Sequence, residues 1–163
     1  MTAYDVAAWT DFANTVAGGA AALAGLLFVG LSLNLAEVLK YPGVPARAAA
    51  TLAVTVAILL TAVFVATPGQ DHRALAVELG VIGLGTAVLT AIFGLQQKGS
   101  SPHPARALTS MVLLGVPALL LIVSGFSMWS QSGGGLYWVT AAVATGFASA
   151  TGNAWVLLVE IKR

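Results

Sequence analysis

Residues 10–40 read TDFANTVAGGAAALAGLLFVGLSLNLAEVLK, and this stretch decides what kind of fold the chain can adopt. It stays apolar for longer than the roughly 20 residues that a membrane-spanning helix needs. Unlike a plain lipid-facing anchor, it also carries several small residues and the polar residues Asn14, Asn34 and Glu37. We therefore expect a membrane helix at the centre of a bundle, with neighbouring helices on two sides.

The composition of the whole chain favours a membrane protein. Of its 163 residues 58% are hydrophobic and 8% are charged, whereas an average soluble domain is about 25% charged. So few polar residues cannot cover a water-facing surface. The net charge of +1 gives no argument for nucleic-acid binding, and the lack of cysteine excludes disulfides, thiol catalysis and thiolate metal sites.

Five stretches are long and apolar enough to cross a membrane. Their connections are short and consist of proline, glycine, serine and charged residues, which is typical of helix ends. Strands of a membrane barrel would alternate apolar and polar residues, and these stretches do not. The predicted fold is an all-α polytopic membrane helical bundle, a single domain over residues 1–163. The five predicted transmembrane helices cover residues 11–39, 46–67, 73–97, 105–129 and 136–160.

Charge predicts how this bundle is oriented. Five spans place the two termini on opposite sides of the membrane, and basic residues tend to stay on the cytoplasmic side. Arg73 falls on the side of the N-terminus, and the other side holds Lys40, Arg47, Lys98, Arg106, Lys162 and Arg163. We therefore expect an outside N-terminus, a cytoplasmic C-terminus, and a multi-pass location in the bacterial plasma membrane.

The first helix has one narrow face of small residues. At 100° per residue, Asp11, Gly18, Gly25 and Ser32 recur every seven positions and share this face, with Asn14 beside them. Small residues let helix backbones approach closely, which drives helix association in lipid. Tight packing is one interpretation, and a lining of a pore or substrate path is the other. The candidate helix-packing residues, including two on the last span, are Gly18, Gly25, Ser32, Gly146 and Ser149.

Polar residues near the cytoplasmic side form a second pattern. Asn153 and Glu160 share a face of the last span, and Asn34 and Glu37 lie at the same predicted depth on the first. The asparagines can simply bond across helices, but a hydrated vestibule or a cation site would use the same groups. The candidate pore-lining or ion-interacting residues are Asn34, Glu37, Asn153, Glu160, Asp11 and Glu78.

Motifs for catalysis are missing from the sequence. It has no nucleotide-binding loop, no HExxH and no GxSxG. The predicted topology separates His72 from His103, so the two cannot share a metal ion or a haem. We expect no enzyme activity, no catalytic residues, no metal site and no cofactor. Asp71, which precedes the third span, suits a helix N-cap, and Thr51 and Thr55 can bond their own helix.

Three segments carry a resemblance to known proteins. They are AGLLFVGLSLNL at residues 24–35, GGGLYW at residues 133–138 and NAWVLLVEI at residues 153–161. In these segments and in its alanine, glycine and valine content, the chain resembles small uncharacterised multi-spanning integral membrane proteins of high-GC Gram-positive bacteria. The resemblance implies a location and a shape, and no particular activity.

Two functions from different classes remain open. The first is a homo-oligomeric channel or pore that prefers cations, because rings of carboxylates at Asp11, Glu37 and Glu160 would select them. Its water path would form between symmetric copies, since five short spans enclose little volume. The alternative is a non-conducting accessory or scaffold subunit that packs on a larger complex through its glycine-rich first helix. The expected partners are the lipid bilayer, further copies of the chain and a small inorganic cation.

Overall fold

The described part of the chain is all-helical, as predicted, and contains no strand. The computed structural model describes the backbone of residues 2–100 and 104–159, and the side chains of residues 2–99 and 108–156. Two short 3-10 turns, Thr2–Tyr4 and Val6–Trp9, precede the helices. The helices are α1 (Thr10–Leu33), α2 (Leu35–Lys40), α3 (Val44–Val65), α4 (His72–Ser100), α5 (Pro104–Ser130) and α6 (Tyr137–Val159).

Four helical segments are long and apolar enough to cross a membrane. The described residues of α6, a helix of 23 residues, are not among them. Large apolar side chains on the outside, such as Leu33 and Phe126 at 80% and 74% exposure, support a bilayer around the bundle. The four segments are Val6–Leu33, Val44–Val65, His72–Gly99 and Leu108–Ser130.

The central helix of the bundle is α3. Of its most apolar 18-residue window 56% is buried, against 17% for the window in the segment that contains α1. α3 contacts α1, α4, α5 and α6, whereas α1 is buried along one face only, at residues such as Ala20 and Leu27. The expectation of a central first helix is therefore wrong. Small residues suit any close contact between helices. The buried alanine, valine and threonine residues of α3 therefore allow close packing without the glycines that α1 has.

Two hydroxyl groups inside α3, those of Thr51 and Thr55, are satisfied by the helix itself. Thr51 Oγ1 donates to the carbonyl of Arg47 and Thr55 Oγ1 donates to the carbonyl of Thr51, both at 2.9 Å. This confirms the predicted bonds of these two threonines. Because both side chains are fully buried, the bonds remove the cost of polar atoms without a partner.

Asn34 ends α1 and separates it from α2. Its side-chain Nδ2 donates to the carbonyl of Gly30 at 2.8 Å, which is the carbonyl that its backbone N–H would reach in a continuous helix. The backbone N–H of Asn34 instead donates to the carbonyl of Leu31 at 3.3 Å. Competition of this kind between side chain and backbone breaks helices. The predicted span 11–39 is therefore two helices.

α4 and α5 form a closely packed antiparallel pair. A Cβ atom on Gly83 would lie 2.9 Å from the carbonyl oxygen of Ala118, and one on Gly125 would lie 2.7 Å from that of Ala76. At both sites the added Cβ would meet backbone atoms of the facing helix, which cannot move aside as the end of a side chain can. Glycine is therefore required here by close approach rather than by its backbone conformation.

The chain before α1 docks on the connection between α5 and α6. The backbone N–H of Leu136 donates to the carbonyl of Ala3 at 2.9 Å, and the N–H of Gly134 donates to Tyr4 Oη at 3.0 Å. Gly135 has φ +53°, and a Cβ there would lie 2.2 Å from the carbonyl oxygen of Ala3. We call the end of the bundle with residues 2–9, 66–71 and 131–136 the N-terminal end. The end with α2 and the first turn of α3 is the C-terminal end.

We predict that Gly125→Ala lowers the free energy of unfolding by about 1–3 kcal/mol, because the added methyl group overpacks the α4–α5 contact. The matched control is Gly115→Ala on the same helix, where a Cβ meets no heavy atom within 4 Å. Alanine there should be neutral or stabilising by up to about 1 kcal/mol. Unfolding in mixed detergent micelles measures both variants, and equal stability of the two would contradict the packing argument.

Candidate functional site

Asn153 of α6 is the centre of a polar cluster near the C-terminal end. Its Oδ1 accepts hydrogen bonds from Arg47 Nε at 2.7 Å and from Ser110 Oγ at 3.1 Å. Its Nδ2 donates to the carbonyl of Ser149, one turn earlier in α6, at 3.0 Å. Asn153 and Ser110 are buried and Arg47 is half-buried. One amide thus joins α3, α5 and α6.

The start of α3 brings Arg47 to this cluster. Gly43 precedes the helix with φ +87°, and its carbonyl accepts the backbone N–H of Arg47 at 3.1 Å. Proline in the first turn suits a helix start because its missing N–H would have no partner there. Arg47 therefore lies in the first turn of α3, where its charge can reach the edge of the bilayer.

An open groove of about 580 Å³ lies beside the cluster. Its floor is polar, with Arg47, Ser110, Ser149 and Asn153 among the lining residues. Its rim includes the exposed apolar side chain of Leu113. No aspartate or glutamate stands among the described residues that line the groove.

The structure does not bring Asn34 and Glu37 into this cluster. Asn34 bonds the carbonyl of Gly30 in its own helix. Glu37 pairs with Lys40 at 2.6 Å on the surface of α2, and this carboxylate raises the pKa of the Lys40 ammonium group through their hydrogen bond. Glu160 lies outside the described residues. The layer of two asparagines and two glutamates is therefore not formed by the described part of the chain.

The two remaining ion candidates, Asp11 and Glu78, lie on different helices, α1 and α4. Asp11 is exposed on the first turn of α1. Glu78 is half-buried in α4 and accepts a hydrogen bond from Gln70 Nε2. Because that bond comes from the neighbouring loop, it ties the loop before α4 to the helix.

A second open cavity, about 350 Å³ in volume, lies at the N-terminal end. Asp5, Gln70, Asp71 and His72 are among its lining residues. Asp71 Oδ2 accepts the backbone N–H groups of Arg73 and Ala74 at 3.0 and 3.3 Å, which confirms the predicted N-cap. These N–H groups lower the pKa of Asp71. The stabilisation they give is therefore present at neutral pH and is lost as the pH falls through that lowered pKa.

The predicted packing residues fall into two groups. Gly146 packs tightly, since a Cβ there would lie 2.5 Å from Ile58 Cδ1, and Ser149 lies in the same α6 face and donates to the carbonyl of Gly146 at 3.1 Å. Gly18 and Gly25 are exposed and have no heavy atom within 4 Å of a built Cβ. Ser32 is also exposed. This face of α1 therefore packs against none of the described residues at Gly18 and Gly25.

Arg47 and Ser110 were not recognised as site residues from the sequence. Arg47 and Asn153 are 106 positions apart, and Ser110 and Asn153 are 43 apart, so no local spacing joins them. Two buried serines were missed for the same reason. Ser124 Oγ donates to the carbonyl of Gly135, and the N–H of Gly135 donates to Ser127 Oγ at 2.8 Å. The sequence did contain an indication, because a polar residue inside an apolar span usually faces protein or water rather than lipid.

No protein-family model, curated protein or solved structure matches the chain.

We predict that Asn153→Ala lowers the free energy of unfolding by about 1–3 kcal/mol, because it removes the acceptor for two donors inside the bundle. Asn34→Ala is the matched control, since it removes an amide that bonds only its own helix, and we expect a change within about 0.5 kcal/mol. Unfolding in mixed micelles compares the two variants. A larger loss for Asn34→Ala would contradict this assignment.

Proposed function

We propose that the chain is a multi-pass protein of the bacterial plasma membrane that self-associates through α1. In this proposal all five long helices cross the bilayer, with the N-terminus outside and the C-terminus in the cytoplasm. Two observations support the topology. Trp9 and Tyr137 pack together at the N-terminal end, with ring centroids 5.1 Å apart, as in an interfacial aromatic belt. Lys40 and Arg47 lie at the C-terminal end, as the positive-inside rule requires of a cytoplasmic side.

The exposed small-residue face of α1 is the observation that carries the proposal. The Asn14 side chain has no hydrogen-bond partner among the described residues, and it is exposed on the same side of the helix as the two glycines. Lipid cannot bond an amide, and it packs poorly into the grooves that small residues leave. A second helix can both bond the Asn14 amide and fill these grooves. The members of this association face are Asp11, Asn14, Gly18, Ala21, Gly25 and Ser32, all of them exposed.

A second copy of the chain is the partner that suits this face. An amide is both donor and acceptor, so Asn14 can pair with the Asn14 of another copy across a two-fold axis. Asp11 is the one charged member of the face and lies in the first turn of α1, where two carboxylates would remain near water. Binding to an unrelated larger complex, as an accessory or scaffold subunit, would use the same face.

A cation-conducting pore is the second candidate function. It is favoured by the three polar members of the association face, Asp11, Asn14 and Ser32, which in a ring of copies would turn toward the symmetry axis. Other contacts weigh against it. Glu37 is paired with Lys40, and Asn153 accepts a bond from the cationic Arg47, so neither offers a cation a free negative group.

We predict that Gly25→Leu weakens self-association at least tenfold, because leucine would hold the two backbones apart. Gly85→Leu is the matched control, since Gly85 is an exposed glycine of α4 that also has no heavy atom near a built Cβ. Energy transfer between labelled copies in liposomes at several protein-to-lipid ratios measures the affinity. Unchanged transfer in Gly25→Leu, or a monomeric parent protein, would contradict association through α1.

Potential-driven flux of monovalent cations into liposomes separates the pore from the non-conducting protein. A pore along the association face predicts flux that Asp11→Asn reduces, whereas Glu37→Gln, which alters an outlying ion pair, leaves it unchanged. A non-conducting protein predicts no flux at either polarity of the potential, with self-association intact. If Glu37→Gln alters the flux and Asp11→Asn does not, the ion path does not run along the association face.

A further inference from the structure

We propose that acid strengthens the self-association of this chain, because α1 brings the Asp11 carboxylate of one copy opposite the Asp11 carboxylate of another. This switch rests on the proposed association through α1 and adds a means of regulating it. Three features support it: the position of Asp11 on the association face, the symmetry of a pair of copies, and the lack of a neutralising partner for the carboxylate.

Asp11 lies on the same line of α1 as the glycines of the association face. Asp11, Gly18, Gly25 and Ser32 are spaced seven positions apart, and all four are exposed. On a straight helix such a spacing drifts by about 20° per repeat, so two helices keep this line in contact when they cross with a left-handed twist. The line of closest contact then passes through both glycines and reaches Asp11 in the first turn of α1.

Two copies with the same orientation in the membrane bring like residues together. Around a two-fold axis, a residue on the line of closest contact meets its own counterpart. Gly18 then faces Gly18, which permits close approach of the backbones, and Asp11 faces Asp11. Two carboxylates so placed repel each other while both are charged. A copy in the opposite orientation would instead bring Asp11 beside Ser32, which carries no charge.

The helices packed against α1 offer Asp11 no neutralising charge among their described residues. The 3-10 turn before α1 has no charged side chain, and α6 contributes the neutral phenol of Tyr137. α3 contributes Arg47, but at the C-terminal end of the bundle. α2 contributes Glu37 and Lys40, which pair with each other at that same end.

The carboxylate of Asp11 has no partner in the described part of the protomer. It makes neither an ion pair nor a hydrogen bond there. The other titratable or charged side chains toward the N-terminal end include an aspartate, Asp71, that lies 3.3 Å from a histidine nitrogen, His72 Nδ1. The remaining members of this group are Asp5, Arg73 and Glu78. The charge of Asp11 is thus left to meet its counterpart in a second copy.

A single proton removes the repulsion between the two carboxylates. A protonated Asp11 can donate a hydrogen bond to the charged Asp11 of the other copy, as happens where two carboxylates share a site. The pair therefore binds a proton more readily than separate copies do, so association rises as the pH falls. The effect is moderate because the first turn lies near water. Two charges about 4 Å apart in water weaken a complex about fivefold.

Energy transfer between labelled copies of the full-length protein tests this switch. The liposomes consist of zwitterionic phosphatidylcholine, whose headgroup keeps its net charge of zero, and the pH is lowered from about 7 to about 4, where aspartate side chains take up a proton. We expect the parent to associate about fivefold more tightly at the lower pH. Asp11→Asn and Asp11→Ala should associate equally at both pH values, and at pH about 7 at least as tightly as the parent. The alanine variant removes the charge without adding an amide that bonds across the pair.

Asp5→Asn is the matched control, because it removes an exposed carboxylate at the same end of the bundle but outside the association face. It should keep the pH response of the parent, and loss of that response would overturn the role of Asp11. Gly25→Leu shows separately whether association runs through α1. If Gly25→Leu weakens association but the parent responds to pH no more than Asp11→Asn, the switch is wrong and association through α1 stands. A parent that is monomeric at both pH values contradicts both.

Discussion

Close approach of helix backbones is the constraint on which the rest of this structure depends. In lipid no hydrophobic force draws one apolar helix to another, so helices are held by how closely they can pack. α4 and α5 satisfy this at Gly83 and Gly125, where even a methyl group would meet backbone atoms. On α6, Gly146 instead leaves room for the side chain of Ile58 on α3. These contacts place α3 at the centre and fix where the ends of α3, α5 and α6 meet.

Polar groups then decide what those helix ends can do. Every polar atom within a bilayer needs a partner inside the protein, and most find one in their own helix, as Thr51 and Thr55 do. Other polar side chains connect helices. Asn153 bonds Arg47 and Ser110 from two other helices, while Ser124 and Ser127 hold the connection before α6. The groove beside Asn153 is lined by the members of its network.

α1 takes part neither in the close glycine contacts nor in the polar network described above. Its segment is the least buried of the four that are long and apolar enough to cross a membrane, and Gly18 and Gly25 face outward. Among the described residues none packs on Gly18 or Gly25, which leaves this face available for contacts between molecules. The groove and the α1 face are separate surfaces.

The sequence alone determined the helical class, the positions of five long helices and the N-cap at Asp71, because apolar length and capping chemistry are local properties. It also singled out Asn153 and Gly146 as residues of interest. Only the tertiary structure decided which neighbours they have. A helical face has the same composition whether it meets lipid or protein, so the sequence made α1 central and overlooked α3. The partners of Asn153 lie on other helices, and residues so distant in the chain are brought together only by packing.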